Sequence, residues 1–373
     1  MKRLVSVLTA VLFLTGMAFG QNNTATTTQN GNGNDADVEQ LGNKHESVID
    51  QDTWGEGHDA VVNQNSGSNN FSNLIQTQRG ADATVDQIGS DNQSRLNQHG
   101  PNEGEIYQEG DGNIVGHYND LQSNAKQKNG TSWADDKNFL DVEQLGSNNK
   151  VGVYQAHHAD AKFLQNGSAN EAYVNQVSNP AGGTLNWANV DQDGTENFAD
   201  IHQDGEGNDS KVRQQHYSNE SYQHIVGNTN FMSANIHGNN NVTNQTQMGD
   251  DNWSYVAASP SAIENNLTTE QTGDNNTSYV RVAGYDNSTG NEIIIDQDGN
   301  NNESWSTTIG NNNEIDVVQD GMGNISGTGN SGSSLGIKQN GNNNVVDLDQ
   351  LSNYNTNTIR QMGNGNTATV TQD

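Results

Sequence analysis

Apolar side chains in this chain seldom adjoin one another. Within seven-residue windows they take every second position, and each window tends to open on Asn or Ser and close on Gln. The last four windows place Ser333, Leu335, Ile337, Gln339; Asn344, Val346, Leu348, Gln350; Asn355, Asn357, Ile359, Gln361; and Asn366, Ala368, Val370, Gln372 on one face. Such alternation predicts a β-strand. The closing glutamines stand eleven residues apart, so a template N-x-A-x-V-x-Q repeats with a four-residue connector, often x-G-x-x. The same register runs through Asn186, Ala188, Val190, Gln192; Asn197, Ala199, Ile201, Gln203; and Asn208, Ser210, Val212, Gln214. In windows 219–225 and 230–236 an Ile takes the Gln place, and Gln247 restores it. Earlier windows close at Gln29, Gln40, Gln51, Gln64, Gln76, Gln87, Gln98, Gln108, Gln127, Gln144, Gln155, Gln165 and Gln176, and later ones at Ala258, Gln271, Val282, Gln297, Thr308 and Gln319. With degenerate copies near Asn119 and Gly327, about thirty-one units fit the template.

A seven-residue strand followed by a tight, glycine-bearing arc predicts an all-β fold. It is a β-solenoid of stacked strand–arc–strand rungs with two eleven-residue units per coil, amyloid-like in its stacking. Gln350 then stacks over Gln372 and Gln339 over Gln361, in about fifteen rungs spaced at roughly 4.8 Å. Inward amides are tolerable there, because each can donate to one neighbouring copy and accept from the other. The candidate ladder positions are Gln192, Asn197, Gln203, Asn208, Gln214, Gln247, Gln339, Asn344, Gln350, Asn355, Gln361, Asn366 and Gln372. Proline has no N–H for a strand ladder; Pro101, Pro180 and Pro260 all fall outside the windows. Irregular spacings between Gln127 and Gln144, at 180–183, at 284–290 and at 321–332 read as outward loops that lengthen an arc.

Residues 1–20 follow another rule. A basic Met1-Lys2-Arg3, an apolar run to Leu14 and a small-x-small Ala18-Phe19-Gly20 predict a secretory signal peptide. Residues 21–34 form an N-terminal segment overlapping the first repeat, and 35–373 the repeat solenoid. Two of the fifteen Lys and Arg lie in the leader, leaving 13 against 46 Asp and Glu, a net charge of −33. That balance argues against nucleic acid as a partner. With no cysteine, no disulfide framework is available to a secreted chain. Only 29% of residues are hydrophobic, too few for a conventional core, so order has to come from repetition.

Other functional readings can be set beside the repeat. Asp296-Gln297-Asp298-Gly299-Asn300 offers carboxylates to calcium, giving a soluble acidic β-solenoid adhesin stabilised by that ion as the alternative. Its glycine spacing and the period of eleven depart from the EF-hand loop and from the nonapeptide calcium repeat. An enzyme on this scaffold would use departures from the repeat, such as His157 and His158 with Asp160, or His45 and His58. Scattered histidines on a polar surface read as solvated, and no catalytic or cofactor motif occurs. No cofactor, metal or membrane insertion is expected. Thr367, Thr369 and Thr371 form an outward threonine row, but the unit expected to stack on it carries Val345, Asp347 and Asp349, which spoils an ice-binding array. Trp187, Trp253 and Trp305 also face outward, as packing or lateral-contact residues.

The unit Gln192-Asp193-Gly194…Asn197-Phe198-Ala199…Gln203 resembles the curlin repeat, and Gln361-Met362-Gly363-Asn364-Gly365-Asn366-Thr367-Ala368…Gln372 does so in the fuller Q-x-G-x-G-N form. The likeness extends over nearly all of the chain after the leader. Curlin subunits are secreted β-solenoids that polymerise into curli, a functional amyloid fibre of the biofilm matrix serving adhesion and cell aggregation. The resemblance implies a secreted or cell-surface fibre protein whose partners are further copies of itself, a nucleator subunit and a curli-type outer-membrane secretion pore. The final window also leaves its strand edge bare at Gln372, an expected docking surface for the next subunit.

Overall fold

The computed structural model describes residues 22–117, 119–128, 137–178, 184–284, 288–327 and 336–373. Residues 1–20, expected to be a signal peptide, and Pro180, Ser333 and Leu335 lie outside them. Every regular element among the described residues is a strand, and none of them forms a helix long and apolar enough to cross a membrane. The chain divides into two units, 1–183 and 184–373.

In each unit consecutive strands alternate between two parallel sheets, so neighbours within a sheet are one coil apart. Sheet I of the N-terminal unit starts with Thr24–Asn30, Glu46–Thr53 and Phe71–Gln78, and sheet II with Asp35–Asn43, Asp59–Ser68 and Asp82–Ile88. In the C-terminal unit, sheet III starts with Phe198–Asp204, Glu220–Val226 and Val242–Met248, and sheet IV with Asn186–Thr195, Asp209–Tyr217 and Phe231–His237. The register follows the glutamines: Gln29, Gln51, Gln76 and Gln98 align in sheet I. Gln271, Gln297, Gln319, Gln350 and Gln372 align in sheet III. Both sheets of a unit turn most of their Ala, Val, Ile and Leu to a shared, fully buried interior, as at Val190 and Ile201 or Leu74 and Val85.

The arcs close because they contain residues that accept a positive φ. Gly205 has φ +128°, and a Cβ placed on it would meet the Gly227 carbonyl oxygen at 1.8 Å. The glycine is therefore required both by the turn and by the closeness of the rung beside it.

Two insertions fall where the repeat alone misplaced them. Ile114–His117 and Ala125–Lys128 both pair with Gln93–His99 and with Lys150–Ala156, so they are two halves of one strand split by a loop, and the copy near Asn119 is not a unit of its own. Likewise Ile325–Ser326 and Ile337–Asn340 both pair with Glu303–Ile309. The window closing at Gln339 is thus built from Asn324, Ser326, Ile337 and Gln339, not from Ser333 and Leu335. An insertion can enter mid-strand because the strand's two ends are held separately by the rungs on either side.

Candidate amide ladders

Glutamine reaches the interior because it ends each seven-residue window on the inward phase. Once there, its Nε2 donates to Oε1 of the glutamine one coil further along: Gln271 to Gln297 at 2.8 Å, Gln297 to Gln319 at 2.7 Å, Gln319 to Gln350 at 2.8 Å and Gln350 to Gln372 at 2.9 Å. Sheet I repeats this from Gln29 to Gln51 at 2.8 Å and onward, and sheet II from Gln40 to Gln64 at 2.8 Å. The direction is the same throughout. The second amide hydrogen crosses to the other sheet, as from Gln247 to the Phe231 carbonyl at 3.1 Å and from Gln361 to the Val345 carbonyl at 3.0 Å. Each glutamine with a partner in the next coil therefore ties its rung to that rung and to the facing sheet.

The asparagines also pair with one another between coils, in the sense opposite to the glutamines, as Asn366 Nδ2 to Asn344 Oδ1 at 2.9 Å and Asn219 Nδ2 to Asn197 Oδ1 at 3.2 Å, and they bond the backbone as well. They sit at the corners, where the side-chain oxygen accepts a backbone N–H from the next coil and the amide donates to an arc carbonyl. Asn208 accepts from Asn230 N–H at 3.0 Å and donates to the Gly227 carbonyl at 2.9 Å. Asn344 accepts from Asn366 N–H at 3.0 Å and donates to the Gly363 carbonyl at 3.0 Å. Asn197 donates to the His216 carbonyl at 3.0 Å, and Asn355 N–H donates to the side chain of Asn324 at 3.0 Å. These bonds fix arc geometry, which a ladder of side chains alone would not do.

The breaks in the glutamine ladder are also informative. Ile225 lies between Gln203 and Gln247, and Ile236, Ala258, Val282 and Thr308 separate Gln214 from Gln339. On the donor side the amide finds a substitute. Gln203 bonds the Ser210 hydroxyl at 3.0 Å, and Gln214 bonds the Asn219 carbonyl at 2.9 Å. On the acceptor side it does not, and Oε1 of Gln247 and of Gln339 is buried with no donor. Beside the Ile225 break, Gln223 takes an inward position and donates to Gln245 at 2.8 Å. Gln192 donates to Gln214 at 2.9 Å and Gln339 to Gln361 at 3.1 Å, so the ladder runs on either side of the longer gap. Gln372 donates to the Thr356 carbonyl at 3.4 Å.

His45 and His58 are not solvated, contrary to the sequence reading: both are buried, and both stand where the repeat has Asn. Nδ1 of His58 accepts the Ala81 N–H at 3.0 Å while Nε2 faces the Asp52 carbonyl at 3.4 Å. His45 does the same with Asn70 N–H and the Leu41 carbonyl, each at 3.3 Å. The imidazole reproduces the acceptor and donor of the asparagine, which requires the neutral ring with hydrogen on Nε2. Burial pushes both ring pKa values below the usual imidazole value, against smaller upward pulls from the backbone carbonyls. Their offset, six residues before a ladder glutamine, was the signal that could have revealed this.

Outward residues stack in columns too. Burial, then the charges of Glu270, Asp298 and Asp320, raise the carboxyl pKa of Asp296. Burial, then Asp347 and Asp349, do the same to Asp316. His157 and His158 occupy a bend with positive φ, and Asp160 lies in the next strand. Among the described residues no three or more His, Cys, Asp or Glu come together as a metal-holding group. Thr367, Thr369 and Thr371 stack on Val345, Asp347 and Asp349.

Three stretches, residues 20–52, 183–215 and 289–321, match the family model described as the curlin associated repeat. Each covers three consecutive eleven-residue units, including those ending at Gln51, Gln214 and Gln319. No curated protein matches the chain.

Proposed function

We propose that this chain, with its three matches to the curlin associated repeat, is a structural protein that self-assembles into curli-like functional amyloid fibres of the extracellular biofilm matrix and so supports adhesion and cell aggregation. The observation that carries this reading is the single direction of the glutamine ladder. A cut between two rungs of the unbroken ladder, as between Gln350 and Gln372, leaves a glutamine donor on one side and a glutamine acceptor on the other, above unpaired strand edges of matching register. Each such rung is therefore a template for another copy added head to tail. A wrong register would bury orphaned amides at about 1 to 3 kcal/mol each, so addition is selective as well as favourable. The partner on this reading is the chain itself; a nucleator subunit and an outer-membrane secretion pore are partners that the family likeness adds.

The test is to express residues 21–373 and follow thioflavin fluorescence, electron microscopy and fibre diffraction with time. Fibres with a meridional reflection near 4.7–4.8 Å are expected. A monomer that stays soluble across a range of salt and pH, with no such reflection, would sink the proposal. If a chelator unfolded that monomer, the calcium-stabilised adhesin would replace it.

A further inference from the structure

The C-terminal unit confines its cations to one of its two outer faces, where a few acids accompany them. All five Lys and Arg after residue 183, namely Lys211, Arg213, Arg281, Lys338 and Arg360, lie on strands of sheet IV, while the strands of sheet III contain none and carry only acids. Lys211 and Arg213 are matched locally, to Asp209 at 3.0 Å and Asp191 at 3.5 Å. Arg281, Lys338 and Arg360 have no ion pair among the described residues. They form one column, since Arg281 aligns with Thr307, Thr307 with Lys338, and Lys338 with Arg360. At the same phase of the repeat on sheet III runs the column Glu270, Asp296, Val318, Asp349.

Beside the cationic column lies a band of half-buried aromatic rings. Tyr255 stacks on Tyr279 at 5.3 Å and Tyr279 on Trp305 at 4.7 Å, while Trp253 lies 5.9 Å from Phe231 and 6.4 Å from Trp305. All these rings are within 23° of parallel. Their faces are turned to one another, which leaves a continuous ring-edge surface. A row of ring edges carries the positive rim of the aromatic quadrupole and suits carboxylates better than cations.

We propose that the aromatic and cationic face of sheet IV docks laterally on the acidic face of sheet III of a second copy of this chain. The arrays are commensurate because both are built on the same rung spacing, and with the two copies antiparallel Arg281, Lys338 and Arg360 meet Asp349, Asp296 and Glu270 while Thr307 meets Val318. Sheet II is also acidic, but Lys162 on it already bonds Asp141, whereas among the described residues the strands of sheet III carry no Lys or Arg. The two faces lie on opposite sides of the unit, since the interior is shared between the sheets. The contact is therefore heterologous, does not close, and yields growing bundles instead of dimers. Six rungs by three outward columns make a patch of roughly 300–400 Å² per partner, about half that of a stable pair. Docking accordingly strengthens only when many copies present the patch along a filament, and in that respect it rests on the fibre reading.

The test uses the full mature chain and two charge-reversal variants, Arg281→Glu/Lys338→Glu/Arg360→Glu and Glu270→Lys/Asp296→Lys/Asp349→Lys. Each variant alone is expected to elongate normally but to form single filaments, with lateral bundling by electron microscopy and low-speed pelleting reduced at least about tenfold. Mixing the two sets of filaments should restore bundles containing both. Bundling as in the wild type, or a mixture that stays single, would overturn the proposal. A wild type that forms no filaments would count against the fibre reading alone, and the lateral contact is then read by carbodiimide coupling in concentrated mixtures of ¹⁴N and ¹⁵N chains. Coupling of Lys338 to sheet III carboxylates between copies supports it; coupling to sheet II carboxylates instead, or none, refutes it.

Discussion

Replacing Gln297 with Leu removes one rung of the sheet III ladder, and the breaks already present in the molecule indicate how the neighbouring amides respond. Gln297 is fully buried; it accepts from Gln271 at 2.8 Å and donates to Gln319 at 2.7 Å and to the Thr277 carbonyl at 3.0 Å. On the donor side, Gln271 can turn its freed hydrogen to a nearby carbonyl, as Gln214 does with Asn219. On the acceptor side, Oε1 of Gln319 is left like that of Gln247, buried and without a donor. One orphaned oxygen costs about 1 to 3 kcal/mol and the lost bond to Thr277 about 1 kcal/mol. The net loss is then about 2 to 4 kcal/mol, reduced a little by the better burial of Leu. The double variant Gln271→Leu/Gln297→Leu creates no second orphaned oxygen, because Gln319 is still the one glutamine that loses a donor, while Gln247 loses only the acceptor of one amide hydrogen. It should cost only about 1 kcal/mol more, far short of twice the single loss. Native-state hydrogen exchange across Glu292–Asn300 reads these losses locally, as about 30- to 1,000-fold faster exchange for the single variant. A single variant indistinguishable from wild type, or a double variant with twice the loss, would refute the reasoning that the ends of a break, and not its length, set its cost.

Three further outcomes are expected. Gly205→Ala should destabilise the C-terminal unit by more than about 2 kcal/mol, since it combines a φ of +128° with the close Gly227 carbonyl; circular dichroism during urea unfolding measures it. His45 and His58 have folded pKa values below the unfolded value, so the unfolded chain binds the proton more readily: their contribution is complete above the unfolded pKa and lost as pH falls below it. Protection factors of the Asn70 and Ala81 amides should drop between pH 7.5 and 5, and His45→Asn/His58→Asn should flatten that dependence. Asp316 shows the opposite sign: its folded pKa is raised, so the penalty is present at neutral pH and relieved as pH falls through that value. Asp316→Asn should therefore stabilise the chain at pH 7 and have no such effect in strong acid, as read by urea midpoints.

His45 and His58 show where sequence reasoning fell short. Their place in the repeat was legible, six residues before Gln51 and Gln64, yet residue type suggested solvent. Only the observed bonds to Ala81 N–H and the Asp52 carbonyl identify an imidazole acting as an asparagine. The split strand that carries Gln127 was hidden for a related reason. A seven-residue window cannot distinguish a degenerate unit from half a unit, whereas pairing on both sides can.

By itself, the sequence determined which side chains point inward, the coil of two eleven-residue units and the stacking of Gln350 on Gln372. Period-2 alternation and fixed spacing are properties of the covalent chain, and a parallel stack preserves both. The tertiary structure alone decided the direction of the amides, the corner role of asparagine, the mid-strand insertions and the separation of Arg281, Lys338 and Arg360 from Glu270, Asp296 and Asp349 on opposite faces. Those features depend on which groups lie one coil apart or across the interior, distances that arise only once the rungs are stacked.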